Sequence, residues 1–160
     1  MISLSDKHYL AIGRVTVESC TLDREVGEYL NRLGVPASAR TMIGRKLALL
    51  SDFITSRGLA PAVNAEFVFL FDKIRSIIAR RNALAHGVWV PDPNASFDET
   101  LAQHEGTDVR AVDIAVLADR LHDARKLLFL TLHAELPAAT GTKAVPNELP
   151  VNLKRRLAQI

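Results

Sequence analysis

The chain reads as an all-α protein, a four-helix bundle with a short β-hairpin-like insertion between its third and fourth helices. Three observations predict this. Its 160 residues, 48% hydrophobic and 24% charged, suit a single compact domain. Aromatics are only 6%, with Gly 8 and Pro 7, so Ala, Leu and Arg are prominent, and these favour helix over sheet. Apolar residues also recur at three- and four-residue spacing in four long segments, joined by two short connections and one long one. The bundle is expected over residues 1–136, and 137–160, with Pro137, Pro146, Pro150 and a closing Leu-Lys-Arg-Arg-Leu, as a basic tail.

The first helix is expected to open at Ser5, an N-cap residue followed by Asp6 in the positive first turn. It carries Ile12, Val15, Ser19, Leu22, Val26, Leu30 and Leu33 on one stripe and stops at Gly34 and Pro36. The second is expected from Ser38, with Ile43, Leu47, Leu50 and Ile54 facing inward, until Gly58 and Pro61 break it. The third runs from about Ala62 through Phe67, Leu70, Phe71, Ile74, Ile77, Ile78, Leu84 and Ala85 to Gly87. Val88-Trp89-Val90 and Val109-Arg110-Ala111-Val112 then suggest two short strands around a polar loop. The fourth helix follows Asp113 as N-cap, buries Ile114, Leu117, Leu121, Leu128 and Leu132, and ends before Pro137.

Several function classes are excluded by what this pattern lacks. No apolar run is long enough to cross a membrane and no signal peptide is discernible, so the expected location is cytoplasmic. Cys20 is the sole cysteine, which rules out an internal disulfide and a multi-cysteine zinc site, and it is expected to be a small buried residue. His122 and His133 share a face of the fourth helix, but eleven residues separate them by about 16 Å, too far for one metal. Neither a glycine-rich phosphate loop nor a Gly-x-Ser-x-Gly elbow occurs, and no cofactor or metal is expected. Phe67, Phe69, Phe71 and Phe129 follow helical spacing and read as core.

The net charge of +2 conceals an uneven distribution. Residues 1–136 carry 16 Lys/Arg against 17 Asp/Glu, whereas 137–160 carry four basic residues against Glu148. Within the body, 40–81 holds eight basic residues against three acids, and 92–123 holds eight acids against Arg110 and Arg120. A polyanion is expected to approach the first stretch and avoid the second.

That basic stretch leads into Arg80-Arg81-Asn82-Ala83-Leu84-Ala85-His86-Gly87. Continuing the stripe Phe67, Leu70, Ile74, Ile77 places Arg81 on the core line, where a guanidinium is found when paired or lining a cavity. Asn82 and His86 are four residues apart on one face, and Arg81 and His86 lie about 140° apart around the axis, flanking a groove. Two readings stay open. His86 can simply suit the carbonyl end of a helix while Arg81 snorkels or pairs with an acid such as Asp72. Alternatively, the trio forms a metal-free phosphodiesterase site, with His86 moving protons and Arg81 stabilising the charged phosphorane. Lys46, Arg75 and Arg80 are candidate phosphate-holding cations, each equally readable as a solvated charge. Trp89 is a candidate base-stacking residue, or else packing at the bundle end or a dimer interface.

The Arg-Asn-x-x-x-His order resembles the R-x(4–6)-H signature of HEPN (higher eukaryotes and prokaryotes nucleotide-binding) domains, where the motif lies near the end of a helix in an all-α bundle. His86-Gly87-Val88-Trp89, followed by an insertion and a last long helix, is similar to bacterial stand-alone members, and Leu22-Asp23 resembles an acidic position that some carry. The resemblance covers about 1–136. It implies a metal-independent endoribonuclease of the toxin or phage-defence type, in which Arg81 and His86 are the catalytic pair and Asn82 orients the phosphate or the histidine. It further implies a homodimer that brings two motifs together, with RNA as substrate and, for toxins, an antitoxin protein as a further partner; Lys46, Arg75, Arg80 and Trp89 are the candidates for RNA-binding. Non-catalytic members imply an alternative, a module that binds nucleotide, RNA or a partner protein.

Overall fold

The computed structural model describes residues 4–86, 89–91, 102–104 and 107–136. Four helices pack around one core: α1 (Asp6–Arg32), α2 (Ile43–Ser56), α3 (Pro61–His86) and α4 (Ala111–Glu135). Between α3 and α4 lie three short strands, β1 (Trp89–Pro91), β2 (Ala102–His104) and β3 (Thr107–Val109), paired antiparallel in the order β1-β2-β3. The expected two-strand hairpin is thus replaced by a three-strand arrangement. Its middle strand falls in the polar run that carries no strand pattern, and Ala111 and Val112, expected in a strand, belong to α4.

The helix ends follow from local chemistry. Ser5 caps α1, its Oγ accepting from the His8 N–H at 3.4 Å. At the other end Gly34 takes φ +75°, while the Val35 N–H donates to the Leu30 carbonyl and the Gly34 N–H to that of Asn31. That pair of bonds closes the last turn of α1 and needs the left-handed conformation that glycine adopts without penalty. Pro61 begins α3, where its missing N–H would have found no partner anyway.

Two starts differ from expectation. Helix α2 begins at Ile43 and not at Ser38, because Ser38 and Thr41 close a turn of their own. The Thr41 N–H donates to the Ser38 carbonyl at 3.0 Å and the Ser38 N–H to Thr41 Oγ1 at 3.2 Å. Helix α4 is capped at Arg110, and Asp113 sits one turn inside, where its carboxylate accepts from the Arg110 backbone N–H at 3.2 Å and from Arg110 Nε at 3.0 Å. The hydrogen bond from Arg110 holds the Asp113 carboxyl below the usual range.

The core matches the apolar stripes closely. Val15, Leu22, Val26 and Leu30 of α1, Leu47, Leu50 and Ile54 of α2, Phe67, Leu70, Phe71, Ile74 and Ile77 of α3, and all five expected residues of α4 are buried. Ile12, Leu33, Ile43, Ile78, Leu84 and Phe129 pack partly buried against them. Two residues depart from expectation. Phe69 faces outward with Lys73 Nζ 5.5 Å from its ring centre, and Cys20 is exposed because α1 turns it away from the stripe that holds Ser19.

Helices α1 and α4 run side by side in the same direction. Arg14 meets Asp119, Glu18 meets His122, Glu25 meets Arg125, and Tyr29 Oη reaches the Leu132 carbonyl, so both residue numbers climb together. Among the described residues, no helix is long and apolar enough to cross a membrane.

Leu50→Ala, at a fully buried position, is expected to destabilise the bundle by about 2–5 kcal/mol, against less than about 0.5 kcal/mol for Leu10→Ala, which is 69% exposed. Urea unfolding of the two variants measures both. The Asp113 contribution is present above the ordinary carboxylate value and lost as pH falls through its depressed folded one. The stability gap between the parent and Asp113→Ala, followed by thermal unfolding, should therefore be open at neutral pH and close in strong acid.

Candidate functional site

Arg81 occupies the position that the helical pattern assigns it. It lies on the inner side of α3, one turn beyond Ile77, and is half-buried where its apolar predecessors are fully buried. There it lines a cleft of about 350 Å³ together with Ser19 and Asp23 of α1, Arg40 from the approach to α2, Ile43 at the start of α2, and Ile78. Its Nη1 donates to Asn82 Oδ1 at 2.8 Å. Asn82 and His86 are both exposed, and His86 closes the helix. Five residues of helix place His86 about 7.5 Å along the axis from Arg81. The structure therefore brings Arg81 and Asn82 into direct contact and sets His86 on the solvent side of the same helix end. Asn82 holds the guanidinium in place, with its side-chain oxygen already taken.

The cations proposed to hold phosphate divide. Arg80 and Arg75 are exposed, and Arg75 donates to Asp72 at 3.3 Å while stacking 6.0 Å from the Phe71 ring centre. Asp72, a candidate partner of Arg81, thus belongs to Arg75. Lys46 is not a surface cation. It is 2% exposed, and its Nζ donates to Asp23 Oδ2 at 2.9 Å and to the Asp23 carbonyl at 3.2 Å. The reason lies in α1, where Gly27 leaves room for the lysine stem, since a Cβ there would stand 3.3 Å from Nζ. A buried ammonium survives only with such partners, so Lys46 is committed to the fold and closed to a phosphate. The Trp89 side chain, Gly87, Val88 and the 137–160 tail lie outside the described residues.

The electrostatics of the cleft are lopsided. Arg40 and Arg81 line it with a single acid, Asp23, which Lys46 already bonds from the fold side; among the described residues the second Asp23 oxygen, Oδ1, is buried without a hydrogen-bond partner, as is Ser19 Oγ. Covered polar atoms left this way cost about 1–3 kcal/mol each. The Asp23 position was visible in the sequence as an acid beside the α1 stripe; the orphaned oxygens were not, because they depend on how α1, α3 and the 39–43 segment meet.

A second cleft, of about 440 Å³, opens between α1 and α4 beside Glu25, Tyr29, Arg125, Phe129 and His133. Sequence reasoning overlooked it. The available signal was the seven-residue spacing of Glu18 and Glu25, which puts both acids on one face of α1. Arg125 spans them, donating to both Glu25 oxygens at 2.9 Å and to Glu18 at 3.3 Å, while His122 Nδ1 stands 3.1 Å from Glu18. The Tyr29 phenol is pushed up to about 12, chiefly by burial, with Arg32 opposing. Arg125 and His122 tie the two acids of α1 to α4, and the cleft reads as an interhelical ion-pair network. Among the described residues, no group of three or more His, Cys, Asp or Glu is placed to hold a metal ion.

Asp23→Ala strands the Lys46 ammonium and is expected to cost about 3 kcal/mol, the low end for breaking a buried pair because Asp23 keeps some exposure. Lys46→Met should cost less, and the double variant should be more stable than Asp23→Ala alone in urea unfolding. The chain matches no protein-family model, no curated protein and no solved structure, so its functional reading rests on the residues of the Arg81 helix end and its cleft.

Proposed function

We propose that this protein is a HEPN-like, metal-independent endoribonuclease acting through Arg81, Asn82 and His86. The observation that carries the reading is the half-buried Arg81, braced by Asn82 at 2.8 Å on the wall of a cationic cleft, with an exposed histidine ending the same helix. A guanidinium fixed in this way is preorganised for the negative charge that builds on phosphorus, because its reorganisation is complete before reaction. An accessible imidazole supplies what the guanidinium lacks, a group that can take up and hand on a proton.

In the proposed step, His86 takes the proton of a ribose 2′-hydroxyl and the oxygen attacks the adjacent phosphorus. The bond to the 5′-oxygen breaks, leaving a 2′,3′-cyclic phosphate and a 5′-hydroxyl. The leaving oxygen needs a proton in the same step, and one histidine cannot accept and donate at once. A second copy of the chain, presenting its own His86 across a two-fold axis, supplies the acid. The requirement for a 2′-hydroxyl makes RNA the substrate and excludes DNA. Toxin or defence activity and an antitoxin partner belong to the same proposal, and growth arrest on expression that Arg81→Ala relieves would support them.

The test is cleavage of RNA by the full chain in EDTA. His86→Ala is expected to slow it by about 10²–10⁴ and Arg81→Ala by about 10²–10³, with 2′,3′-cyclic phosphate ends on the products. Arg81→Lys should rescue little, since an ammonium cannot reproduce the planar fork. Equal cleavage by the parent and His86→Ala would sink the mechanism. RNA retained but not cut by the parent would instead favour the non-catalytic module.

A further inference from the structure

Two buried polar atoms belong to residues that line the cleft beside Arg81. Ser19 is 9% exposed, and among the described residues neither its Oγ nor Asp23 Oδ1 has a hydrogen-bond partner. Arg40 and Arg81 line the same cleft; Arg40 is exposed, and Arg81 is bonded to Asn82. Counting Lys46 against Asp23, these residues leave a surplus of two positive charges.

The atoms define what could fill the site. Asp23 Oδ1 only accepts, so it requires a donor, and Ser19 Oγ can both give and receive a hydrogen bond. The two guanidinium groups require an anion, best a planar or tetrahedral one with several oxygens. A bare anion satisfies the arginines but sets its charge against the Asp23 carboxylate; an uncharged alcohol satisfies Asp23 and leaves the arginines unused. One molecule that does both carries hydroxyl groups at one end and a phosphate at the other. Ile43 and Ile78 supply apolar wall for the carbon face of a sugar ring. The volume, about 350 Å³, lies at the small end of ligand sites and limits the occupant to a single unit.

We propose that this cleft binds one sugar phosphate unit, with Arg40 and Arg81 on the phosphate and Asp23 Oδ1 and Ser19 Oγ on the sugar hydroxyls. Both oxygens are covered from water, so seating the sugar requires a wall side chain to turn; the exposed Arg40 is the one that moves, while Arg81 stays on Asn82. The choice of ribose as the sugar rests on the ribonuclease reading above. The unit can come from a free ribose phosphate or from one nucleotide of an RNA chain, which present the same groups.

Calorimetric titration of the full chain with ribose 5-phosphate, ribose and inorganic phosphate tests the assignment. Ribose 5-phosphate is expected to bind at least about tenfold more tightly than either part alone, and Ser19→Ala and Arg40→Gln to weaken it by about fivefold to tenfold each. Both variants should fold, because Ser19 Oγ has no partner to lose among the described residues and Arg40 is exposed. Inorganic phosphate binding as tightly as ribose 5-phosphate, no binding of ribose 5-phosphate at millimolar concentration, or binding indifferent to both substitutions would overturn the proposal. In the His86→Ala protein, displacement of ribose 5-phosphate by an RNA trinucleotide assigns the unit to an RNA chain, and its retention assigns it to a free sugar phosphate. Binding by a parent protein that never cleaves RNA would remove the ribonuclease and keep the cleft; cleavage without this binding would do the reverse.

Discussion

An ammonium group out of reach of water must be answered by oxygen, and the surrounding chain has to bring that oxygen to it. Lys46, in the first turn of α2, finds both the carboxylate and the backbone carbonyl of Asp23, and Gly27 one turn further along α1 clears its path. The pair consequently fixes where α2 starts on α1. That start draws the 39–43 segment along α1, and the space left between this segment, α1 and the end of α3 is the Arg81 cleft. Asp23 is thus shared, with one oxygen committed to the fold and the other without a hydrogen-bond partner among the described residues.

Arg81 belongs to the same construction from the other side. It interrupts the apolar line of α3 at the level where α1 and the α2 approach diverge, so a guanidinium can stand there half in the core and half in a cleft. A leucine at this position would seal the gap with apolar contact. The polar residue that follows it in sequence holds it at 2.8 Å, giving a cation whose direction is set before any ligand arrives. His86, past the packed part of the helix, is left to solvent.

Burial was readable wherever periodicity alone decides it. The apolar stripes of all four helices mark core positions, and Ser5, Gly34 and Pro61 mark ends through chemistry that acts within a few residues. The misreadings involve side chains with two local uses. Ser38 has the chemistry of a cap but closes a turn with Thr41, and Asp113 has the chemistry of a cap but serves one turn inside the helix. Lys46 and Cys20 fail for a different reason. A lysine beside Arg45 looks solvated and a cysteine beside the α1 stripe looks buried, and only the contact between α1 and α2 reverses the first while the rotation of α1 reverses the second. Of the site, the motif and its placement on a half-buried line were legible; the cleft, which three separated segments form, was not.

The common direction of α1 and α4 has a consequence for how the chain is made. Their cross-links join residues 100 to 107 positions apart, and α1 packs most extensively against α4. During synthesis α1 emerges well before its main partner exists, with Val15, Leu22, Val26 and Leu30 uncovered. A ribosome adding about 5–20 residues per second leaves that stripe waiting for several seconds. On its flank Glu18 and Glu25 carry like charges that would keep two nascent copies apart until α4 brings Arg125 to answer both.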